Sequence, residues 1–490
     1  MEIKTAQVEA QQSNFAGALG RLTRMQDEVR QMSNNYLAEI FYSTFGEVQL
    51  RSHHEPEAEQ AYLAALRLAE QNLGSLTTET ARTDWSVNAA PIYLGLAEAQ
   101  LIQGHVQESL DVFERHLGAP QRAGTQRPAK TGAASALPDA LNVTSRLPLL
   151  SDQTVLAYGV LPDGVAIWLY DNRGVRSKWI PKTPQELQDL ASNFYAECSE
   201  PGSQTTSQSG AAGSALRRDS QSLYSLLIAP VEQQLDRKRT LVIETEGFLA
   251  RLPFEALMDP SGHYLIERAP IVHSLGPYAE NRMHVETALS SESPALIVGS
   301  AASSPEAGLF AIPNVASGAE AVARSFDSPR VLKGSEATLD AVSAALPSAA
   351  VFHFAGHALA TPEHTGLMLQ AGRSDSSPVL LDAAALRSLD LQNLQLALLA
   401  ACSTDSGEGA ARDFNSVTEA LQASGVPHVV ATRWTVDALQ ASAFANDFYV
   451  SLLAGAPVSA ATRQTSLKVL SNPRTAQPYY WAAFAAYGRP

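Results

Sequence analysis

Short apolar runs, separated by stretches of helical periodicity, fill the chain from about residue 220 to its end. The runs at 240–244, 295–300, 350–355, 394–401 and 428–434 have the length and composition of buried strands. Strands that are apolar along their whole length are typical of a parallel sheet covered on both faces. The pattern therefore predicts an α/β fold with a mostly parallel sheet and helices on both faces. These helices are expected at 316–326, 336–346 and 416–424.

The first 118 residues are different, because apolar and small residues recur there at helical spacing. In the tetratricopeptide pattern, two antiparallel helices cross at small residues and a glycine forms the turn between them. The small residue Ala97, then Gly104 and then Phe113 follow this pattern. The spacing between such units is uneven, so an ordinary helical bundle is the alternative interpretation. Such an array exposes an apolar face at an open end, which predicts that the chain either is cut from a longer array or packs as one. The same frame fits Gly46, Ala58, Tyr62 and Ala65.

Two stretches rich in small and polar residues divide the rest of the chain. Residues 119–147 read as a flexible linker between the helical region, 1–118, and a second domain, 148–490. Residues 199–215 lack apolar periodicity and are expected to form a disordered insertion. Between these two stretches, the turns Pro162–Gly164 and Asp171–Gly174 predict three short strands, followed by a helix near 184–197.

Charge and cysteine content exclude several classes of protein. The formal net charge is −15, which disfavours a nucleic-acid binder, because such proteins carry a basic patch. The chain has 2 cysteines, so a disulfide framework is not expected, and a reducing cytoplasmic location fits best. No secretory signal and no membrane-spanning apolar run is recognisable in the sequence. No Cys/His cluster has metal-binding spacing, so we predict neither a metal site nor a cofactor.

Two of the predicted strands end on residues that can carry chemistry. The run at 350–355 leads into Gly356 and His357, and the run at 394–401 leads directly into Cys402. If these strands are parallel neighbours, both residues emerge at one edge of the sheet, where α/β proteins place their active sites. A thiolate beside an imidazole is the pair that a cysteine protease needs. Taken singly, each residue is more typical of a structural role.

Other candidates have less support from the sequence. His353 alternates with the strand and is expected to face into the protein as a structural residue. Cys198 has no neighbouring partner in the sequence and reads as an incidental thiol. No carboxylate is placed where it would clearly orient His357, so no third catalytic residue is predicted.

Several sequence blocks stand in a distinctive order after residue 150. They are LPFEALMDPSGHYLIER, HFAGHA, LLAACSTDSGEG, ASGVPHVVATRWTVD and PYYWAAFAAYG. With these blocks, residues from about 150 to 490 resemble the CHAT domain, a bacterial relative of caspases and separase that usually follows tetratricopeptide repeats. The histidine also precedes the cysteine by an interval close to the roughly 50 residues of caspases.

The resemblance implies a caspase-like α/β fold and cysteine endopeptidase activity on a protein substrate, without a cofactor. By position, His357 and Cys402 would be the catalytic dyad, and Gly356 would shape the turn before the histidine. Ala358 stands where many relatives have glycine; its backbone N–H could still bind the oxyanion, although a positive φ there would strain alanine. The resemblance implies that Trp434 and Asp437 lie near the substrate pocket. The acidic residues Asp405, Glu408 and Asp413 are also expected near this predicted pocket.

Two functions from different classes remain open at this stage. In the first, the C-terminal domain is a protease, regulated by a protein partner that binds the repeats. In the second, the domain is catalytically silent and the repeats act as a protein–protein interaction module, since such arrays present extended concave surfaces. The reactivity of Cys402 discriminates between them.

Overall fold

The fold was analysed in a computed structural model, which describes residues 2–73, 75–76, 79–119, 143–201, 211–360, 365–371, 379–403 and 410–490. The chain divides into two compact units. The first comprises Met1–Ser151, Ala157–Glu186 and Gly276–Tyr278, and the second comprises Asp152–Leu156, Leu187–Leu275 and Ala279–Pro490.

The N-terminal part of the first unit is all-helical, as predicted. Asparagine side chains cap the second and third helices, where Asn14 and Asn34 accept hydrogen bonds from the first-turn N–H groups of Gly17 and Leu37. The helices are α1 (Glu2–Gln11), α2 (Phe15–Arg30), α3 (Asn35–Arg51), α4 (Glu55–Leu73), α5 (Glu79–Ile102) and α6 (Val106–Leu117).

Small residues allow these helices to cross closely. The ring of Tyr62 on α4 lies so near to Gly46 on α3 that a Cβ there would be 2.8 Å from Cγ of the tyrosine. A Cβ on Gly95 of α5 would lie 2.3 Å from Cζ of the same ring. Gly104 takes a φ of 82° in the turn between α5 and α6, a conformation that favours glycine. Both features predicted from the repeat pattern, the small crossing residues and the turn glycine, are confirmed.

A three-stranded segment follows the helices. Its elements are α7 (Val143–Arg146), a 3₁₀ turn (Leu147–Leu149), β1 (Gln153–Leu161), β2 (Gly164–Asp171) and β3 (Gly174–Ile180), with β2 and β3 antiparallel. The three predicted strands are therefore confirmed. Phe113 of α6 stacks on Trp168 of β2 with 4.9 Å between ring centroids, and both side chains are fully buried. This packing groups residues 157–186 with the helices, so the observed division differs from the boundary predicted at residue 148.

The second unit contains the remaining elements. Its helices, some of which begin in the first unit, are α8 (Pro184–Ser199), α9 (Ala211–Leu227), α10 (Pro277–Glu280), α11 (Val315–Ala323), α12 (Leu339–Ala345), α13 (Ala383–Ser388), α14 (Ala410–Ala423), α15 (Ala438–Leu453), α16 (Val458–Leu470) and α17 (Pro478–Trp481). Its strands are β4 (Thr240–Thr245), β5 (Ile271–Ser274), β6 (Ala295–Gly299), β7 (Arg330–Lys333), β8 (Val351–Ala360), β9 (Thr365–Leu369), β10 (Val379–Asp382), β11 (Leu396–Ser403), β12 (His428–Thr432) and β13 (Phe484–Gly488). Short 3₁₀ turns lie at Glu232–Gln234, Gly247–Arg251, Phe254–Ala256, Leu265–Glu267, Pro305–Ala307, Gly334–Glu336 and Leu346–Ser348.

Strand β8 lies inside the sheet, with neighbouring strands on both sides. On one side it runs parallel to β11, and on the other side its first half pairs with β6 and its last residues pair with β9. From β8 the order continues through β11, β12, β13 and β5 to β4. The pairs β8–β11, β11–β12, β6–β8, β6–β7, β13–β5 and β4–β5 are parallel, and the pairs β12–β13, β8–β9 and β9–β10 are antiparallel.

Helices cover both faces of this sheet. Phe354 of β8 belongs to a core cluster with Val417 and Leu421 of α14. The preceding residue, His353, points to the opposite face because strand residues alternate, and there it contacts Tyr449 of α15. The predicted fold class, a mostly parallel sheet with helices on both faces behind an all-helical region, is therefore confirmed.

Several predicted bounds need correction. Strand β8 was expected to end before Gly356 but continues to Ala360, because Ala358 pairs with Leu367 of β9. In the predicted insertion 199–215, residues from Ala211 onward form helix α9. The predicted linker 119–147 lies mostly outside the described residues, and Val143–Arg146 is helical.

Candidate active site

The candidate site is built by two neighbouring parallel strands. In the register of β8 and β11, Cys402 is the partner of His357, and Ser403 is the partner of Ala358. The apolar residues before each of them, such as Phe354 and Leu399, are fully buried and fix this register through the core. Partners in register share one face of a sheet, and neighbouring strands lie about 4.8 Å apart. The structure therefore brings the two predicted residues side by side.

The imidazole of His357 is held by a backbone carbonyl. Its Nε2 atom lies 2.6 Å from the carbonyl oxygen of Phe310. Because a carbonyl oxygen only accepts, Nε2 must carry the hydrogen and donate it. In the neutral ring, Nδ1 then carries the lone pair, and among the described residues this buried atom has no hydrogen-bond partner. The histidine is thus oriented with Nδ1 ready to accept a proton.

A compact loop carries Phe310 to this position. Ser304 and Leu309 exchange backbone hydrogen bonds of 2.8 and 2.9 Å, and Gly308 between them takes a left-handed φ of 73°. The side chain of Leu309 is buried against Ala302 and Met368 of β9. The ring of Phe310, in contrast, is 71% exposed. The loop is therefore anchored by one side chain and presents the next residue's carbonyl to His357.

Gly356 and Ala358 flank the histidine inside strand β8. A Cβ on Gly356 would lie 2.9 Å from the ring of Phe354 and 3.1 Å from Cβ of Ser300, so close packing requires glycine here. The expectation that Gly356 shapes a turn is wrong, because the strand continues through it. Ala358 is fully buried, and it is absent from the described non-glycine residues with positive φ, so it carries no such strain.

The predicted pocket residues have structural partners or lie outside the described residues. Trp434 is buried, donates from Nε1 to the carbonyl oxygen of Tyr479 at 3.0 Å and packs edge-on against Tyr195. Asp437 caps helix α15 by accepting from the N–H groups of Leu439 and Gln440. Asp405 and Glu408 are outside the described residues, and the side chain of Asp413 is not described.

Two further groups can be excluded as the base or the reactive thiol. His353 is buried, and this burial lowers its pKa to about 3, so the ring stays neutral; its Nδ1 lies 3.4 Å from the hydroxyl of Tyr449. Burial also raises the pKa of the Cys198 thiol well above its ordinary value, with the charge of Glu197 acting in the same direction. A thiol of that kind reacts slowly, because the thiolate is the nucleophile.

A buried charged trio near the end of β12 was missed by the sequence analysis. Arg433 contacts Glu255 at 2.9 Å, and its Nη2 donates to Nε2 of His273 at 2.6 Å. All three side chains are almost completely buried. Glu255 and Arg433 stood within blocks noted for the family resemblance, but 178 residues separate them in sequence, and no local pattern joined them.

The described residues contain neither a metal-binding cluster nor a membrane-spanning helix. Within the described ranges, no group of three or more His, Cys, Asp or Glu side chains could hold a metal ion. None of the helices in that part of the chain is long and apolar enough to cross a membrane.

Two curated relatives are similar to the chain. The chain is similar to Tetratricopeptide repeat protein 28 of Mus musculus, with 28% identity over 358 residues, covering 62% of this chain and 14% of that protein. Against Tetratricopeptide repeat protein 28 of Homo sapiens the identity is 28% over 320 residues, covering 54% of this chain and 13% of the relative. The chain thus spans only a small part of the length of these relatives.

Solved structures of the Saccharomyces cerevisiae separase-securin complex are also similar to the chain. One has a TM-score of 0.48 and 9% identity, and covers 100% of this chain and 46% of that chain. Another has a TM-score of 0.45 and 10% identity, and covers 98% and 38% of the two chains.

A family model gives the decisive comparison. The model of the CHAT domain matches residues 217–489, which include both His357 and Cys402. The match runs from within helix α9 to the last strand, β13, and covers more than half of the chain. The chain therefore belongs to the CHAT domain family.

Proposed function

We propose that the chain is a cysteine endopeptidase that cleaves a protein substrate with Cys402 as nucleophile and His357 as base. The observation that carries the proposal is the register of β8 and β11, in which these residues are partners. The backbones of neighbouring strands are about 4.8 Å apart, a spacing from which a thiol and an imidazole side chain can approach to hydrogen-bond distance. Membership of the CHAT domain family also supports a caspase-like domain.

The proposed reaction proceeds through an acyl-enzyme. Cys402 gives its thiol proton to His357, and the thiolate forms a bond with the carbonyl carbon of the scissile peptide. When the tetrahedral intermediate collapses, the C–N bond breaks and the imidazolium protonates the leaving amine. His357 then takes a proton from water, whose oxygen attacks the thioester and releases the carboxylic acid and the thiol. This route uses neither a metal nor another cofactor.

The hydrogen bond from His357 to Phe310 supports the proton route. With Nε2–H committed to the carbonyl oxygen at 2.6 Å, Nδ1 is the only ring nitrogen that can take the thiol proton. The same bond persists when the ring becomes imidazolium, because both nitrogens are then donors. The carbonyl dipole also stabilises the positive charge. We assign the orienting role to this carbonyl.

The oxyanion and the substrate pocket are assigned by position. The proposed oxyanion donors are backbone N–H groups near Ala358 and Cys402, with Gly356 keeping the strand close to Ser300. Trp434 and Asp437 follow strand β12 and remain candidates for the wall of the pocket, although both already have structural partners. Asp405, two residues after the last described residue of β11, is the remaining acidic candidate.

The repeats are proposed to bind a protein partner that controls the protease, in a cytoplasmic setting. Repeat arrays present extended surfaces to partners, and the curated relatives are named for such repeats. The buried bidentate pair of Arg115 with Glu70, at 2.9 and 2.8 Å, joins α6 to α4 within this array.

Peptide cleavage tests the proposed activity directly. Purified wild-type protein, Cys402→Ala and a Cys198→Ala control are incubated with a denatured protein mixture, and new peptide termini are identified by mass spectrometry. The proposal predicts termini produced by the wild type and by Cys198→Ala and none above background from Cys402→Ala. Equal termini from all three proteins would overturn it.

A silent scaffold is the second candidate function. It is favoured by the helical first unit and by relatives whose names describe repeats and not an enzyme. In this case the CHAT domain would hold partners without cutting them. The scaffold predicts that Cys402→Ala preserves every cellular effect of the protein, whereas the protease proposal predicts that the effect is lost. Complementation of a deletion strain with each variant separates the two.

A further inference from the structure

Strand β3 leaves one edge unpaired among the described residues. It stands at the end of the strand order and pairs only with β2, over residues 174–180. In an antiparallel pair, every second residue of such a strand directs its N–H and C=O away from its partner. These groups are a template to which another extended chain can add.

The residues along this edge are unusually basic for this chain. Residues 173–182 include Arg173, Arg176, Lys178 and Lys182 and no acidic residue, whereas the whole chain has a net charge of −15. Arg173 pairs with Asp171, and Lys182 pairs with Glu186 at 3.3 Å. Arg176 and Lys178 are exposed and have no ion pair within the described part of the chain.

The two free cations share one face of the strand, because they are two residues apart. Trp179 follows Lys178 in the strand and adds apolar surface on the opposite face. Its ring lies over Gly164 of β2, where a Cβ would be 2.6 Å from Cζ2, and it is still 39% exposed. The edge therefore offers backbone groups, two positive charges at strand spacing and one aromatic contact.

We infer that β3 binds an extended acidic segment of another protein by strand addition. Glutamate or aspartate at every second position of that segment would lie opposite Arg176 and Lys178. The residues between would be apolar and contact Trp179. A second copy of this chain fits poorly, because pairing two β3 edges brings like charges together.

A peptide-binding measurement with the full chain tests this inference. The probe is a fluorescein-labelled peptide of alternating glutamate and valine, and its anisotropy is titrated with the wild type, with Arg176→Glu/Lys178→Glu and with Arg237→Glu/Lys238→Glu. The last variant makes the same charge change at an exposed site before β4. We expect Arg176→Glu/Lys178→Glu to bind at least about tenfold more weakly, and the control to bind like the wild type.

Two N-methylated versions of the peptide distinguish backbone pairing from attraction by charge alone. One is methylated at its odd-numbered residues and the other at its even-numbered residues. Strand addition predicts that one of these peptides loses binding and the other keeps it, because only alternate N–H groups face β3. Absence of wild-type binding, equal binding by the charge-reversed variant, or equal binding of both methylated peptides would each overturn the inference. If the charge-reversed variant does not keep the wild-type circular dichroism spectrum, Arg176→Gln/Lys178→Gln replaces it with the same expected direction.

Discussion

At the scale of single residues, the candidate site depends on how one imidazole is held. His357 donates to the carbonyl oxygen of Phe310, and no carboxylate is needed to fix its tautomer. Leu309 anchors the loop that delivers this carbonyl, while the ring of Phe310 is mostly exposed. The backbone of Phe310 therefore matters more to the histidine than its side chain does.

Two neighbouring substitutions test this assignment. Leu309→Ala removes the buried anchor, so the unfolding free energy should fall by about 2 kcal/mol, and alkylation of Cys402 should slow by about tenfold as the carbonyl shifts. Phe310→Ala keeps the carbonyl and removes an exposed ring, so stability should change by less than about 0.5 kcal/mol and alkylation should stay near the wild-type rate. Equal slowing by both variants would contradict the anchoring role.

Gly356→Ala tests the close packing beside the histidine. The added Cβ would meet Phe354 and Ser300 at 2.9 and 3.1 Å, so stability should fall by about 1–3 kcal/mol. Gly318→Ala, in helix α11, is the matched control. Its Cβ would lie 3.2 Å from the rotatable Ser442 hydroxyl, and the helical preference of alanine offsets the contact. Urea midpoints of the two variants should therefore differ clearly, and similar midpoints would argue against the packing.

The sequence predicted His357 and Cys402 because reactive residues that follow apolar strands are visible in a linear pattern. It could not predict Phe310, because every residue has a carbonyl and only the folded loop selects one. The partners of Trp434 and Asp437, the carbonyl of Tyr479 and the N-terminus of α15, were equally invisible in the sequence, and the role of these two residues in the pocket stays a prediction.

At the scale of elements, the trio of Glu255, His273 and Arg433 joins the turn Phe254–Ala256 to strands β5 and β12. Burial opposes ionisation of Glu255, but the charge of Arg433 lowers the pKa of this carboxyl to about 2. Burial lowers the pKa of His273 below its ordinary value and keeps the ring neutral. The trio therefore consists of one ion pair and one neutral imidazole that accepts from Arg433.

These directions set the pH dependence of stability. Because the unfolded carboxyl titrates near pH ~4.3, Glu255 stabilises the fold fully above that pH, and its contribution is lost as the pH falls toward about 2. His273 acts in the same direction, because the unfolded imidazole takes up a proton below pH ~6.5 while the buried one resists. Urea midpoints should therefore decrease steadily from pH 7 to pH 3.

Glu255→Gln should lower the unfolding free energy by about 3–5 kcal/mol at pH 7, because it leaves Arg433 buried without its counter-charge. The double variant Glu255→Gln/Arg433→Met removes both charges and should recover more than half of that loss. Urea unfolding at pH 7 measures both. A double variant as unstable as the single one would contradict the ion-pair account.

Helices and strands with a clear hydrophobic pattern in the sequence were predictable. Strands that depend on pairing with residues far away in the sequence were not. The five apolar strands and the three helices between them appear close to their expected positions. Strands β5, β7, β9, β10 and β13 were missed, because they are only four or five residues long and their pairing is defined only by the assembled sheet. Strand β8 is longer than expected for the same reason, since β9 extends its pairing past His357.

At the scale of the whole molecule, the CHAT match and the division into units begin at different points. The family model starts at residue 217, while residues 157–186 pack with the N-terminal helices through contacts such as Phe113 on Trp168. Composition could not reveal this, because the stacking joins residues on either side of the 119–147 stretch. The first unit therefore combines the helical repeats with the end of β1 and with strands β2 and β3.

The proposed chemistry also predicts how the whole protein responds to a chelator. A thiolate and an imidazole supply both the nucleophile and the proton carrier, so excess EDTA should leave peptide cleavage unchanged. Iodoacetamide should abolish it in the same assay. Loss of cleavage in EDTA that zinc or magnesium restores would contradict the metal-independent mechanism.

The most direct test of the central claim is the rate at which iodoacetamide alkylates Cys402 as a function of pH, followed by peptide mass spectrometry. The account predicts rapid alkylation of Cys402 below about pH 7, a fall of about tenfold or more in His357→Ala, and slow alkylation of buried Cys198 in both proteins. Slow alkylation of Cys402 that rises only near pH 8.5 and is unchanged by His357→Ala would show that the two residues do not form a catalytic pair.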